Sequence, residues 1–182
     1  MSDERLARFE AVYQQTYGQI TAYVARRCAS PQDAADVVAE TFTVAWRRVD
    51  ELPGGEEATL WLYGVARKVL ANHHKTAGRR LARNVALDTE MADLYAAAPD
   101  EGDGVAAVSA VFRTLPDDDR ELLALVAWEG LEREEIARVL GLSRNAVRVR
   151  LHRARKRFAR ALEKAGVRET RAERLMPVER PL

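Results

Sequence analysis

Apolar residues recur at intervals of three and four along most of the chain, which is the spacing of an amphipathic α-helix. No stretch of four or more residues alternates apolar and polar positions as a half-buried strand does. The pattern predicts three helices in the first half, over about 4–27, 30–49 and 58–83, and a second helical group over about 105–162. The sequence therefore predicts an all-α protein.

The first two helices carry clear apolar faces. On the first helix, one face is predicted to carry Phe9, Val12, Tyr13, Tyr17, Ile20, Tyr23 and Val24. The second is predicted to direct inward Ala34, Val37, Val38, Thr41, Phe42, Ala45 and Trp46. Its start is marked by Ser30 as N-cap, Pro31 at the first helical position and Asp33 closing a capping box.

Helical periodicity fades between residues 84 and 106, where Ala, Asp, Glu, Gly and Pro predominate. Such a composition is typical of a flexible linker, and this one is acidic. The sequence thus predicts two small helical domains, over residues 1–83 and 107–163, joined by an acidic flexible linker. A polar tail without a convincing apolar face follows over 164–182.

Composition excludes several classes of protein. Among the 182 residues there are one cysteine, Cys28, and three histidines, which excludes a disulfide scaffold and a zinc domain. No apolar run approaches the roughly 20 residues that span a bilayer, and the N-terminal segment MSDERLARFE is charged where a signal peptide is apolar. We expect a soluble, cytoplasmic protein without membrane insertion, metal ion or cofactor.

The formal net charge is only +1, but the charges are sorted along the chain. Residues 58–83 contain six basic residues and no acidic one, and residues 88–121 contain ten acidic residues against two arginines. Residues 144–174 contain twelve basic and three acidic residues. Two basic zones separated by an acidic one favour two surfaces for a polyanion, although a solvated arginine-rich face is the alternative for either zone alone.

The second domain contains a helix-turn-helix pattern. A short helix over 132–140 is predicted to direct inward Ile136, Ala137 and Leu140. Gly141 permits the left-handed backbone that ends this helix, Leu142 packs back into the core, and Ser143 caps the next helix. DNA binding is the function that this motif and its arginine density indicate.

The helix that follows the turn separates a buried stripe from a basic outer arc. At 100° per residue, the stripe comprises Val147, Leu151, Ala154, Phe158 and Leu162. The arc comprises Asn145, Arg148, Val149, His152, Arg153 and Lys156, with Arg144, Arg150, Arg155 and Arg157 nearer its edges. Arginine can pair with guanine, asparagine with adenine, and basic side chains bind phosphates. Val149 is apolar at the centre of this arc, so it either meets a thymine methyl or is an ordinary surface valine.

The segment TLPDDDRELLALVAWEGLEREEIARVLGLSRNAVRVRLHRARKRF resembles the promoter-binding C-terminal domain of bacterial sigma factors. In the first half, SPQDAADVVAETFTVAWRRV resembles the family's polymerase-docking helix, and LWLYGVARKVLANHHKTAGRR resembles its element-melting helix. Two such domains with an acidic linker are the pattern of the extracytoplasmic-function (ECF) group. The resemblance covers about residues 5–83 and 107–162 and implies a protein that binds core RNA polymerase, recognises the −35 and −10 elements and helps to open the −10 DNA.

The resemblance also implies roles for individual residues. Recognition of the −35 element falls to Arg144, Asn145, Arg148, Val149, His152, Arg153 and Lys156. Binding of the melted −10 strand falls to a cationic track formed by Arg67, Lys68, Lys75, Arg79 and Arg80, with Asn72, His73 and His74 as candidates for reading bases. Trp61 and Tyr63 could stack on bases, although aromatic residues at this spacing are more often core. The adjacent pair His73 and His74 does not suit a metal ion, because neighbours on a helix point about 100° apart.

The predicted polymerase-binding residues lie on the second helix: Asp33, Asp36, Glu40 and Thr41. The three acids fall at i, i+3 and i+7, beside an expected exposed edge of Thr41, Phe42 and Trp46. By resemblance, this face binds the coiled coil of the largest polymerase subunit, and an acidic ridge suits a basic helical partner. The resemblance also implies a possible further partner, an anti-sigma factor that would cover the same surfaces.

Two other classes of protein remain as alternatives. A free-standing helix-turn-helix regulator would bind operators as a dimer and would not need the acidic stripe. An enzyme has little support, because the sequence contains no phosphate loop, no nucleophile motif and no convergent set of His, Asp and Glu.

Overall fold

The computed structural model describes residues 3–83 and 103–167, with the backbone alone for residues 76–83 and 103–105. The chain divides into two compact units, residues 1–97 and 98–182. Every regular element in the described ranges is a helix, which confirms the predicted all-α class. The predicted linker and tail fall mostly on residues 84–102 and 168–182, outside the described residues.

The first unit is built from three helices packed against one another: α1 (Asp3–Ala25), α2 (Pro31–Arg47) and α3 (Glu56–Arg83). A single 3-10 turn, Val49–Glu51, joins α2 to α3. The centre of the unit is formed by the fully buried side chains of Thr16, Ile20, Tyr23, Val24, Val37, Thr41, Val49, Leu52 and Leu62.

The start of α2 follows the predicted capping signal. The Ser30 hydroxyl oxygen accepts from the backbone N–H of Asp33 at 3.1 Å, and Pro31 takes the first helical position. The same hydroxyl donates to Asp33 Oδ2 at 2.8 Å. The carboxylate therefore meets the side chain of its cap residue, which fixes Asp33 at the first turn of α2.

The apolar face of α1 is narrower than its periodicity predicts. Its buried side chains are Val12, Thr16, Ile20, Tyr23 and Val24. Tyr13 and Tyr17, which were expected on the same face, lie at its edge and are 38% and 43% exposed. They point toward α2, where both rings contact the ring of Phe42, with centroid distances of 4.8 and 6.0 Å. Because α2 covers only part of the apolar arc of α1, the two tyrosines remain at its edge.

The second unit contains α4 (Asp103–Arg113), α5 (Asp117–Ala127), α6 (Arg133–Leu140) and α7 (Arg144–Lys164). The predicted stripe of α7 is buried at Val147, Leu151, Ala154 and Leu162, whereas Phe158 is half-buried against Phe112. On α6, Ile136 and Val139 are buried, while Ala137 and Leu140 are only half-buried. Val139 is thus a core residue of α6, whereas Ala137 and Leu140 were predicted in that role.

The turn between α6 and α7 has the predicted geometry. Gly141 adopts a left-handed conformation with φ of 65°, and the backbone N–H of Leu142 donates to the carbonyl of Ala137 at 2.9 Å. The Ser143 hydroxyl accepts from the N–H of Ala146 at 3.1 Å. These contacts fix the direction in which α7 leaves the turn.

A charged pair ties α7 to α5. Asp119 is only 7% exposed, and its carboxylate accepts a hydrogen bond from the guanidinium of Arg157. Arg157 itself is about half exposed, with 52% of its side chain accessible. The pair therefore combines a buried anion with a cation that water still reaches. Arg157 stabilises the packing of α7 on α5, in contrast to its predicted place at the edge of the outer arc.

Replacing Arg157 with alanine should lower the free energy of unfolding of the second unit by about 2 kcal/mol, because the buried carboxylate of Asp119 loses its partner. Asp119→Asn should cost less, since it removes the buried charge as well. Urea unfolding followed through the backbone amide resonances of α7 measures both effects. Arg160→Ala, an exposed arginine on the same helix, serves as the control; equal midpoints for the Arg157 and Arg160 variants would contradict the assignment.

Candidate nucleic-acid interface

The outer face of α7 carries a row of exposed polar and basic side chains. The exposed members are Arg144, Asn145, Arg148, His152, Arg153 and Lys156. Between residues 144 and 162 the helix contains no acidic residue. This face is therefore suited to phosphate and base contacts on duplex DNA.

Two of these residues are held by contacts within the unit. Asn145 Oδ1 accepts from Arg148 Nε at 3.2 Å and from Nη2 at 3.1 Å, which orients the guanidinium along the helix. Arg144 Nε lies 2.7 Å from Glu134 Oε1 on α6. The guanidinium of Arg148 is thus oriented in the free protein. The charge of Arg144 is partly offset by the carboxylate of Glu134.

Val149 and Arg155 differ from their predicted settings. Val149 is half-buried, so it is not fully exposed at the centre of the arc. Arg155 is also half-buried, and its Nε is enclosed without a hydrogen-bond partner among the described residues. Burial lowers the pKa of the Arg155 guanidinium, and the nearby charge of Arg133 lowers it further. Arg155 therefore belongs to the inner edge of α7.

A second basic row runs along α3. Lys68, Asn72 and Lys75 are exposed, and at 100° per residue they lie within about 60° of one another. Position 79 continues this row, so positions 68 to 79 extend about 16 Å along the helix. The side chains of Arg79 and Arg80 lie outside the described residues. Arg67 is half-buried on the flank of the row.

The aromatic residues at the start of α3 are placed differently from each other. Tyr63 is buried, with its ring 4.9 Å from that of Tyr23, so stacking of Tyr63 on a base is ruled out by its position. Trp61 is half-buried, and the guanidinium of Arg48 lies 5.3 Å from its ring centre. Of the two, only Trp61 reaches the surface.

The two adjacent histidines of α3 have different surroundings. His73 Nε2 lies 3.3 Å from Asp33 Oδ1 on α2, and 27% of the His73 side chain is exposed. His74 is exposed, with its ring centre 6.5 Å from that of His73. Within the described ranges, no group of three His, Cys, Asp or Glu residues is arranged to hold a metal ion.

On α2, the four predicted polymerase contacts separate into three groups. Asp36 and Glu40 are exposed, as their spacing predicts, while Asp33 is half-buried and engaged with Ser30 and His73. Thr41 is fully buried, and its hydroxyl donates to the carbonyl of Val37 at 2.7 Å. The assignment of Thr41 to the docking surface is therefore wrong, because the hydroxyl is satisfied by its own helix and faces the core.

One feature of this face was not predicted from the sequence: an open apolar groove of about 640 Å³ between α1 and α2. Its lining includes Tyr13, Tyr17, Cys28, Ala35, Val38, Ala39 and Phe42. Asp36 and Glu40 each follow a lining alanine, so at 100° per residue their side chains point away from the groove. Burial raises the pKa of the Cys28 thiol, and the charge of Asp33 raises it further. The sequence signal that could have indicated this groove is the pair Tyr13 and Tyr17, four residues apart and beside the row of core residues of α1.

Comparison with known proteins identifies the family. The model of Sigma-70 region 2 matches residues 12–80, and that of Sigma-70, region 4 matches residues 106–158. The RNA polymerase sigma-H factor of Pseudomonas aeruginosa is 30% identical over 162 residues, which cover 80% of this chain and 81% of that protein. The ECF RNA polymerase sigma factor SigF of Caulobacter vibrioides is 30% identical over 148 residues, which cover 81% of each. The chain belongs to the ECF group of RNA polymerase sigma factors.

Solved sigma factor structures have a similar fold. RpoE, from its complex with the anti-sigma factor NepR of Bartonella quintana, superposes with a TM-score of 0.61 at 21% identity, covering 88% of this chain and 94% of RpoE. CnrH, in complex with the cytosolic domain of CnrY, gives a TM-score of 0.53 at 25% identity, covering 88% and 97%. The fold and the family expected from the sequence are thereby confirmed.

As a sigma factor, the protein acts in promoter-specific transcription initiation, and its partners are core RNA polymerase and promoter DNA. None of its described helices is both long enough and apolar enough to cross a membrane.

Proposed function

We propose that this ECF sigma factor recognises the −35 element through the outer face of α7, with Arg148 and Arg153 as its principal base-contacting residues. The observation that carries this proposal is the row of exposed basic side chains on α7, set by a capped turn at Gly141 and Ser143. Lys156, three residues after Arg153, supplies a phosphate contact, and His152 lies between the two arginines on the same exposed face.

We infer that α3 binds the non-template strand of the −10 element. A single strand is held by a cationic row that follows its phosphates, and Lys68 and Lys75 provide two such charges on one face. Arg67, Arg79 and Arg80 extend the track in this proposal. Asn72 and His73, at the same level of α3, are then the candidates for contacts with unpaired bases.

The exposed acids of α2, Asp36 and Glu40, are proposed to contact a basic helical element of core polymerase. The neighbouring groove between α1 and α2 adds an apolar surface that a helix could cover, since its rim carries the half-exposed rings of Tyr13 and Tyr17. Residues 1–83 would form the polymerase and −10 domain, and residues 107–163 the −35 domain.

In this proposal the chain contributes recognition and DNA opening in the cytoplasm and performs no catalysis of its own. Each domain need not bind tightly alone, because attachment to polymerase raises the effective concentration of the other. An anti-sigma factor would repress by covering the same surfaces. RpoE was solved in complex with the anti-sigma factor NepR, and CnrH in complex with the cytosolic domain of CnrY.

Run-off transcription tests this function. Purified core polymerase is combined with a pooled library of genomic promoter fragments, with and without the protein. Specific transcripts that appear only with the protein are the expected result, and their upstream sequences define the promoter consensus. Absence of transcripts, together with a shift of duplex DNA by the protein alone, would instead support a free-standing regulator.

A further inference from the structure

Two hydrogen bonds join Asn145 to Arg148 at the start of α7. Arg148 donates from Nε to Asn145 Oδ1 at 3.2 Å and from Nη2 to the same oxygen at 3.1 Å. Both residues are exposed, and residues three apart share one face of a helix. A guanidinium group has only donors, so the amide of Asn145 turns its oxygen toward Arg148 and its amino group away.

The side chain of Asn145 is not needed as a helix cap. Asparagine near the start of a helix is often the cap residue, but here the hydroxyl of Ser143 accepts from the N–H of Ala146 at 3.1 Å. The amide oxygen of Asn145 is therefore available to another side chain, and its partner is the arginine three residues later. The capped turn fixes the backbone from which both side chains extend.

These two bonds decide which groups of the pair remain for a ligand. An amide oxygen accepts two hydrogen bonds through its two lone pairs, and Arg148 occupies both lone pairs of Asn145 Oδ1. On Arg148, the bonds occupy the edge of the guanidinium that Nε and Nη2 form. The outer edge, formed by Nη1 and Nη2, retains one N–H on each nitrogen, and these two N–H groups are parallel.

We propose that Asn145 is a positioning residue that presents the outer edge of Arg148 to guanine and does not itself pair with adenine. In the major groove guanine offers two neighbouring acceptors, O6 and N7, which match two parallel N–H groups. A bidentate pair with adenine requires the amide oxygen of asparagine to accept from N6, and that oxygen is already engaged by Arg148. This inference rests on the proposed recognition of the −35 element by α7.

The orientation of the guanidinium is tested in the isolated full-length protein. Hydrogen exchange of the arginine Nε–H groups is measured by NMR in wild type, Asn145→Ala and Asn145→Asp, with the exposed Arg153 as internal reference. In wild type the Nε–H of Arg148 should exchange about fivefold more slowly than that of Arg153, the size of one hydrogen bond. Asp retains an acceptor oxygen, so only Asn145→Ala should lose this protection. Equal exchange at Arg148 in wild type and Asn145→Ala would overturn the positioning role.

The preference for guanine is tested with holoenzyme and labelled duplexes that carry the −35 element defined by run-off transcription. Each guanine is replaced in turn by 7-deazaguanine, which lacks the N7 acceptor but keeps its base pairing. One replacement should weaken binding about fivefold in wild type, and it should have little effect in Arg148→Ala.

The variants of Asn145 connect this preference to the positioning role. Asn145→Ala should reduce the fivefold discrimination to about twofold, whereas Asn145→Asp should retain it. The added charge of Asp weakens binding to every duplex, so the ratio of affinities for guanine and 7-deazaguanine is the quantity compared. Discrimination in Asn145→Ala equal to that in wild type would contradict the proposal.

A double-mutant cycle tests whether Asn145 reads a base itself. In the Arg148→Ala background, Asn145→Ala should cause no further loss of affinity. Replacing an adenine by purine, which lacks the N6 amino group, should affect wild type and Asn145→Ala equally. A further loss that depends on one adenine would show that Asn145 pairs with this base, and would overturn the inference.

These outcomes separate the inference from the proposed function. If Arg148→Ala and Arg153→Ala leave the preference among −35 sequences unchanged, the proposed role of α7 fails and the inference fails with it. If Arg148→Ala removes the guanine preference but Asn145→Ala does not alter it, recognition by α7 stands and the positioning role of Asn145 is wrong.

Discussion

Reversing the charges of Asp36 and Glu40 is expected to abolish the association of this sigma factor with core polymerase. Both side chains are exposed and lie four residues apart on α2. In the proposed complex they face basic side chains of a helical partner, and placing like charges opposite one another costs several kcal/mol. The double variant Asp36→Arg, Glu40→Arg should therefore lose at least about 100-fold in affinity.

Fluorescence anisotropy of labelled protein titrated with core polymerase measures this loss, and run-off transcription should fall to background in parallel. The double variant Asp118→Arg, Glu163→Arg is the matched control, because both are exposed acids in the other unit and together undergo the same change of charge. Helical content should stay constant in all variants, since neither acid of α2 contacts the core. Unchanged affinity in the double variant would show that the acids are merely solvated, and would leave the groove as the docking surface.

Removing Arg153 is expected to reduce transcription from −35-dependent promoters about tenfold or more. Arg153 is exposed on α7, five residues after the positioned Arg148, and loss of an arginine that pairs with guanine typically costs about 1–3 kcal/mol. Arg148→Ala should have a similar effect. Asn145→Ala should have a smaller one, because it leaves the guanidinium of Arg148 in place but removes the two bonds that orient it.

Binding to a −35 duplex at two salt concentrations distinguishes base contacts from phosphate contacts. A base contact relaxes specificity at one base pair, whereas a phosphate contact weakens all sequences and lowers the dependence of affinity on salt. Arg113→Ala, an exposed arginine on α4, controls for loss of charge in the same unit. Uniform weakening by Arg153→Ala across all sequences would assign this arginine to a phosphate.

Local sequence signals were sufficient for the helices and their ends. The cap at Ser30, the left-handed Gly141 and the cap at Ser143 all appear as predicted, because each depends on contacts among residues within one turn of helix. For the same reason the exposed arc of α7 was largely predictable. The members of this arc follow from helical periodicity, because the neighbouring helices cover only one side of α7.

The errors concern residues at the margins of helical faces. Thr41, which was assigned to the docking surface, is buried, and Val149, which was placed at the centre of the exposed arc, is half-buried. Helical periodicity predicts where a residue lies on a face only to about one position in each turn of three or four residues. The width of the buried arc depends instead on how closely the next helix approaches.

The amino-acid sequence alone predicts the all-α class, the starts of the helices, the helix-turn-helix and the resemblance to sigma factors. Packing of the helices selects the partners of ionic side chains far apart in the chain: Asp33 with His73, and Asp119 with Arg157. The open groove between α1 and α2 likewise exists only where the two helices pack. Periodicity and caps arise from contacts among near neighbours in the chain, whereas these features arise where two helices meet, and the packing angle and distance between helices are not written in either one alone.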